Sequence, residues 1–437
     1  MTRSLKPIHY QLALLFLLLV MGTVVYAPGL SGPLLHDGHV QLSGLLAGDS
    51  RNWRELSDQY LLSDSGYLGR PVSMATFIAS AVWHGGELRY WKATNLLIHG
   101  LAAITVFFLA RFMLRAAPSS VSPEQAVWLA RLVAGLWLLH ALHVSTVLYT
   151  VQRMAQLAAL FVFTGLLSYS AGRLRQVTAS GRGWWQIMFA CLLCLPLAMF
   201  SKENGVLLLL VPLVELLLFR GDGLPAARNG AGRWLLAAML LPVALGVVYL
   251  LLHFDQLVLD GYVSREFTLT ERLLTQPRVL VLYLQQLLVP LPGLMGFYHD
   301  DIVVSNGLMD PVTTLGSILL LAGLIGLALR LRRCQPLITL GILLFFLAHA
   351  LESSFFPLDL MYEHRNYQAS VGVVLALVVL LARLIPQPRV LAAAGIVLLL
   401  SWSSLTVVRA GIWGSPSLLA AHTAAVHPDS KHRTARH

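Results

Sequence analysis

Residues 93–114, ATNLLIHGLAAITVFFLARFML, carry the pattern of the whole chain in one run. Asn95 and His99 open it one helical turn apart, so they share a face. An apolar centre follows, and Arg111 and Arg115 close it. A helix of this length, rising 1.5 Å per residue, crosses the hydrocarbon core of a bilayer. The polar residues at one end must face protein rather than lipid, and the arginines at the other mark the cytoplasmic side.

Runs of this kind recur from end to end of the 437 residues, of which 57% are hydrophobic and 12% charged. Soluble domains carry roughly twice that charge, ~25%. The expectation is an all-α polytopic membrane protein with about 11 spans. They fall near 10–27, 93–114, 125–142, 154–172, 184–200, 204–219, 234–252, 311–330, 337–355, 368–385 and 390–408. The first is read as an uncleaved span with a cytoplasmic N-terminus, because no clean cleavage site follows it. Basic loops such as Arg330-Leu331-Arg332-Arg333 then land on the cytoplasmic side throughout, as the positive-inside rule requires. The net charge of +10 is therefore topological and implies membrane lipids, not nucleic acid, as the surroundings. The acids are one-sided too: of 21 Asp and Glu residues only Glu124, Glu215 and Asp222 fall near the cytoplasmic face. Acids have little influence on topology, so this asymmetry points to a functional outer face. Cys191 and Cys194 have C-x-x-C spacing but lie inside an apolar run, and read as small core residues.

Two long outer loops, 28–92 and 253–310, interrupt the spans. Residues 70–83, with Pro71 near their start and an apolar face, predict a helix along the interface. Residues 271–290 predict a second, interfacial or re-entrant, because Arg278, Gln285 and Gln286 sit badly in lipid.

Five polar clusters fall at outer span ends. His36-Asp37-Gly38-His39 places Asp37 just above the bilayer, where it suits a general base with His36 beside it; a loop aspartate capping a turn is the plainer alternative. Asn95 and His99 suit either a site or an interhelical hydrogen bond. The turn from His140 and His143 through Tyr149 and Gln152 to Arg153 crowds polar groups into little chain, and Arg153 is suited to hold a phosphate by paired hydrogen bonds. Its histidines lack a third ligand, so no metal is assigned. Ser201-Lys202-Glu203-Asn204-Gly205 offers Lys202 as a phosphate contact with Glu203 as its orienting acid, or else a weak surface ion pair. Tyr362-Glu363-His364-Arg365-Asn366-Tyr367 adds Arg365 as a third cation, with Glu363 and His364 in support. One acid and three cations on one face fit a lipid-linked phosphate donor. A leaving phosphate needs cations as charge develops, and an acceptor hydroxyl needs a base.

These clusters, with Arg70-Pro71-Val-Ser, resemble the GT-C superfamily of membrane glycosyltransferases. The nearest branch is similar to the transmembrane and tetratricopeptide-repeat protein O-mannosyltransferases and the bacterial type IV pilin arabinosyltransferases. The resemblance covers nearly the whole chain. It implies a GT-C-like bundle over residues 1–409 and a polyprenyl-phosphate-linked sugar as donor; the sequence shows no evident ligand set for a divalent cation, and no cofactor is assigned. It also implies transfer to a protein (a pilin, for example) or glycolipid acceptor at the periplasmic face of a bacterial inner membrane, with Asp37 as base. Where the mannosyltransferase branch carries His-Pro-x-His, an acid and an Arg-Asp pair, this chain has Ala141, Ser145, Thr146 and Met154. Residues 410–437, periplasmic by this span count, look like the approach to such repeats, and the sequence stops there. The alternative class is a transporter or flippase of lipid-linked sugars. That class calls for polar residues at mid-membrane and broken helices in inverted repeats, whereas the apolar runs here are polar at their ends.

Overall fold

The computed structural model describes residues 8–48, 51–62, 69–117, 122–178, 183–210, 241 and 243–430. Regular structure among them is entirely helical. Five helices are long and apolar enough to cross a membrane: Leu88–Ala116, Thr150–Gln176, Thr313–Leu331, Glu363–Leu384 and Pro388–Trp413. Two bent pairs raise the count to seven if each is one span, Pro123–Leu138 with Ala141–Val147 at 45° and Val243–Leu252 with Asp255–Tyr262 at 84°. The runs expected near 10–27, 184–200 and 337–355 are shorter apolar helices, Ala13–Gly29, Trp184–Met199 and Pro336–His349. Most of the expected sixth span and the start of the seventh lie outside the described residues.

Small residues let two helix backbones approach closely. Gly341 and Gly372 face each other across the packed pair Pro336–His349 and Asn366–Leu384, and a Cβ on either would strike the other's carbonyl oxygen. The Leu88–Ala116 helix packs on Pro123–Leu138 and on Arg153–Thr178.

The stretch expected as a long first loop is largely helical. It contains His36–Ala47, Trp53–Tyr60 and Pro71–His84. Asn52 caps the second, accepting from the Arg54 N–H at 3.0 Å. Pro71 starts the third, as its fixed φ favours. Just before it the chain turns through Gly69 and Arg70 at φ 69° and 49°, a left-handed bend that is strained at Arg70.

The second long connector holds the expected helix, Leu269–Leu288, opened by a capping box between Thr268 and Glu271. Its buried face carries Arg272, Thr275, Gln276, Val279, Tyr283 and Gln286, while Leu273, Leu282 and Leu288 are exposed. Of the polar residues expected to sit badly in lipid, Gln286 is buried and donates to Leu294 O at 2.7 Å, Arg278 is half-buried and donates to Val303 O at 2.6 Å, and Gln285 is exposed. The boundary drawn at residue 410 falls inside a helix, since Pro388–Trp413 runs through it. Pro416–Val426 then turns back, and His427 Nδ1 lies 2.9 Å from Asp301.

Candidate functional site

Asp37 lies in the first turn of His36–Ala47, not in a loop. A carboxylate is favoured there by the helix dipole. Its side chain is 37% exposed, with His36 Nε2 at 3.7 Å. Its backbone N–H donates to the Tyr149 hydroxyl at 2.9 Å.

From Asp37 a row of rings leads inward. His36 meets Tyr298 edge-on at 6.1 Å, Tyr298 meets Phe297 at 4.6 Å, and Phe297 meets Tyr149 at 5.2 Å. Tyr149 meets His364 at 6.3 Å, and His364 stacks on Tyr362 at 5.1 Å. Burial, and then the Asp37 carboxylate, push the Tyr149 hydroxyl far above its ordinary pKa. Burial, Asp300 and Asp37 raise Tyr298, and burial, Asp359 and Asp37 raise Tyr362. The three phenols therefore stay protonated, and each feels the charge of Asp37.

At the far end of the row stand the cations. Arg365 lies over the Tyr362 ring at 5.5 Å. Lys202 Nζ is 3.0 Å from Glu352 Oε1, and Arg365 Nε is 4.0 Å from Glu352 Oε2. Arg365 Nη1 donates to the carbonyl oxygens of Asp359 at 2.8 Å and Leu360 at 3.3 Å. The connector 350–362 that presents Glu352 is pinned from the Leu269–Leu288 helix. Arg272 donates to the carbonyls of Glu352, Ser354, Leu358 and Asp359. Gln276 donates to Leu360 O at 3.0 Å. The Tyr283 hydroxyl donates to the Tyr362 carbonyl and accepts its N–H, both at 2.9 Å.

Several sequence-derived roles change. Arg153, expected on a phosphate, is fully buried and holds the protein together. Its guanidinium donates to Asn95 Oδ1, Thr76 O and Ser80 Oγ at 2.8 Å each and to Trp91 O at 3.0 Å, over the Phe77 ring at 4.6 Å. Asn95 passes the linkage on, donating to Val147 O and Thr150 O. Its role is interhelical. So is that of His99: Nε2 donates to Leu138 O at 3.0 Å, leaving Nδ1 to accept from the Tyr367 hydroxyl at 2.8 Å. His143 is buried in the same aromatic core, with Nε2 2.9 Å from Ser370 Oγ. Gln152 is buried beside Arg153, its N–H donating to Tyr149 O at 2.9 Å.

Glu203 does not orient Lys202. It takes Arg70 as its partner, with Nη2 to Oε2 at 2.8 Å and Nε at 3.3 and 3.2 Å from the two oxygens. That pairing holds the strained turn before Pro71–His84 against the 200–205 hairpin, where Ser73 Oγ also donates to Ser201 O at 2.8 Å. Glu363 likewise turns inward. It bonds Arg409, accepts the Gly296 N–H at 2.9 Å and lies 3.3 Å from His299 Nε2. Thus Asp37, His36, Tyr149, His364, Lys202 and Arg365 come together, and Arg153, Asn95, His99, His143, Gln152, Glu203 and Glu363 support them from behind.

Glu352, Arg409, Tyr298 and Arg272 were not singled out from sequence. Glu352 and Arg409 each sit at the end of an apolar run, where an ionisable residue signals a functional or structural partner. Among the described residues no three His, Cys, Asp or Glu side chains gather as metal ligands. No family model, curated protein or solved structure matches the chain.

Proposed function

We propose that this chain is an integral-membrane glycosyltransferase of GT-C type. It moves a sugar from a polyprenyl-phosphate donor to a protein or glycolipid acceptor at the outer, periplasmic face of a bacterial inner membrane. The supporting observation is the row of rings joining a half-exposed carboxylate, Asp37, to the cations Lys202 and Arg365.

In this reading Asp37 takes the proton of the acceptor hydroxyl as its oxygen bonds to the anomeric carbon. The bond from that carbon to the phosphate oxygen breaks, and Lys202 and Arg365 stabilise the charge left on the phosphate. The reading also takes the three shorter and two bent helices as spans beside the five long ones and counts the expected run near 204–219, most of which lies outside the described residues, giving about 11 with the N-terminus cytoplasmic and the C-terminus periplasmic.

The experiment is mass spectrometry of surface glycoproteins and glycolipids with and without the chain, and with Asp37→Asn in its place. The expected result is a glycan that disappears in both the null strain and the variant. An unchanged glycan profile without the chain overturns the reading.

A further inference from the structure

We propose that Glu352 is an internal counter-ion that sets the charge the Lys202–Arg365 site accepts, so that the site takes a lipid monophosphate in preference to a lipid pyrophosphate. The inference rests on the glycosyltransferase reading for the lipid nature of the ligand.

Glu352 is buried, at 6% exposure, in the connector beyond the end of the Pro336–His349 helix. One carboxylate oxygen meets Lys202 at 3.0 Å. The other has no hydrogen-bond partner and stands 4.0 Å from Arg365 Nε. A buried carboxylate oxygen left unbonded is costly and needs a reason. Two cations sharing one loosely placed carboxylate supply it: Glu352 holds them in place and neutralises half their charge, without closing on both.

The other charges nearby are matched or committed. Arg70 has Glu203, Arg265 has Asp359 at 2.5 Å, and Arg409 has Glu363. Arg272, next to Glu352, directs its guanidinium onto four carbonyl oxygens. Burial would raise the Glu352 carboxyl, but Lys202, Arg365 and His364 outweigh it and hold the group ionised, well below the ordinary carboxylate range. The set Lys202, Arg365 and Glu352 therefore carries one positive charge in excess. A sugar phosphodiester of a polyprenol carries one negative charge, and a pyrophosphate linkage carries two. In a site shielded from water that difference is felt strongly. Glu352 repels the second charge.

The test uses the full chain in nanodiscs, with the methyl phosphodiester of a short-chain polyprenyl monophosphate, which carries one negative charge, and the terminal methyl ester of the matching pyrophosphate, which carries two, as the monophosphate and pyrophosphate probes. The wild type is expected to bind the monophosphate more tightly. Glu352→Gln should shift the ratio of the two affinities toward the pyrophosphate by roughly tenfold, and Glu352→Asp should keep the wild-type preference. An unchanged ratio in Glu352→Gln overturns the proposal, since a purely structural role would lower both affinities together. If Glu352→Gln does not fold, the charge-balanced Lys202→Gln/Glu352→Gln chain carries the test. It must keep the monophosphate preference, and an inverted preference there overturns the proposal. Wild type that binds pyrophosphate at least as tightly overturns this inference alone, because sugar transfer is measured separately. Wild type that binds neither probe overturns the inference and the glycosyltransferase reading together.

Discussion

The backbone N–H of Asp37 donates to the hydroxyl of Tyr149 at 2.9 Å, tying the first turn of one helix to a turn 112 residues away. The bond orients the Asp37 carboxylate relative to the rings that lead to Lys202 and Arg365. Tyr149 is fixed in its turn by the Gln152 N–H, which donates to its carbonyl.

Replacing Asp37 by Asn removes the base and keeps the shape. Transfer from a polyprenyl-phosphate sugar in membranes is expected to fall by about 10²–10⁴, with expression and membrane insertion intact. Tyr149→Phe leaves the Asp37 N–H without its acceptor and is expected to cost about 1 kcal/mol of orientation, about fivefold in rate. Wild-type transfer by Asp37→Asn removes Asp37 from the mechanism.

Arg153→Ala should act on stability rather than on donor affinity. It removes the bonds to Asn95 Oδ1, Ser80 Oγ, Thr76 O and Trp91 O, of which Thr76 O keeps the Ser80 hydroxyl as donor, a loss of about 3 kcal/mol. Arg153→Lys should recover little, because an ammonium cannot span acceptors laid out for a planar fork. Thermal unfolding in detergent measures the loss. Donor binding per folded molecule should stay near wild type, and a selective loss of binding would restore Arg153 to the phosphate.

Lys202→Ala and Arg365→Ala should weaken photo-crosslinking of a polyprenyl-phosphate analogue by about tenfold to a hundredfold, the range for a lost hydrogen bond to a charged group. Undiminished crosslinking in both counts against a phosphate at this cluster.

Arg70 pairs with Glu203 from a left-handed backbone conformation. Arg70→Gly and Arg70→Ala both lose the ion pair, but only alanine keeps the strain. The glycine variant is expected to be the more stable by about 1 kcal/mol. Equal melting temperatures would show that the strain is relieved elsewhere.

Glu363 and Arg409 form a buried ion pair. Glu363→Gln or Arg409→Met alone is expected to cost about 3–5 kcal/mol, because each leaves a charge buried without its partner. The double variant should cost clearly less than the sum of the two, read from a thermal double-mutant cycle. Strict additivity would mean that the two groups are held by other partners.

The helices, the apolar runs and the crowding of polar groups at their ends are legible in the chain because they depend on local composition and period. Residues 93–114 already show a helix that is polar at one end and basic at the other. Within 28–92 the helix at Pro71–His84 is legible from its proline and apolar face, but His36–Ala47 and Trp53–Tyr60 are not, because Gly and polar residues there mimic a loop while burial of Leu42, Leu45 and Leu56 selects helix. Asp37, Lys202 and Arg365 were found as charges at the ends of apolar runs. Their partners were not, since sequence tells that a buried charge needs a counter-group without telling which segment supplies it.

The sequence by itself determined a helical chain with several apolar helices long enough to cross a membrane, and an acid and several cations at the ends of its apolar runs, since hydrophobic length and helical period need no tertiary partner. Only the tertiary structure decided what each charge does. It closed Arg153 inside a cage of carbonyls and side chains, gave Glu203 to Arg70 and Glu363 to Arg409, and set Glu352 beside Lys202. The physical reason is that an ion pair forms between whichever groups the packed helices bring within a few ångströms, and that distance is unrelated to separation along the chain.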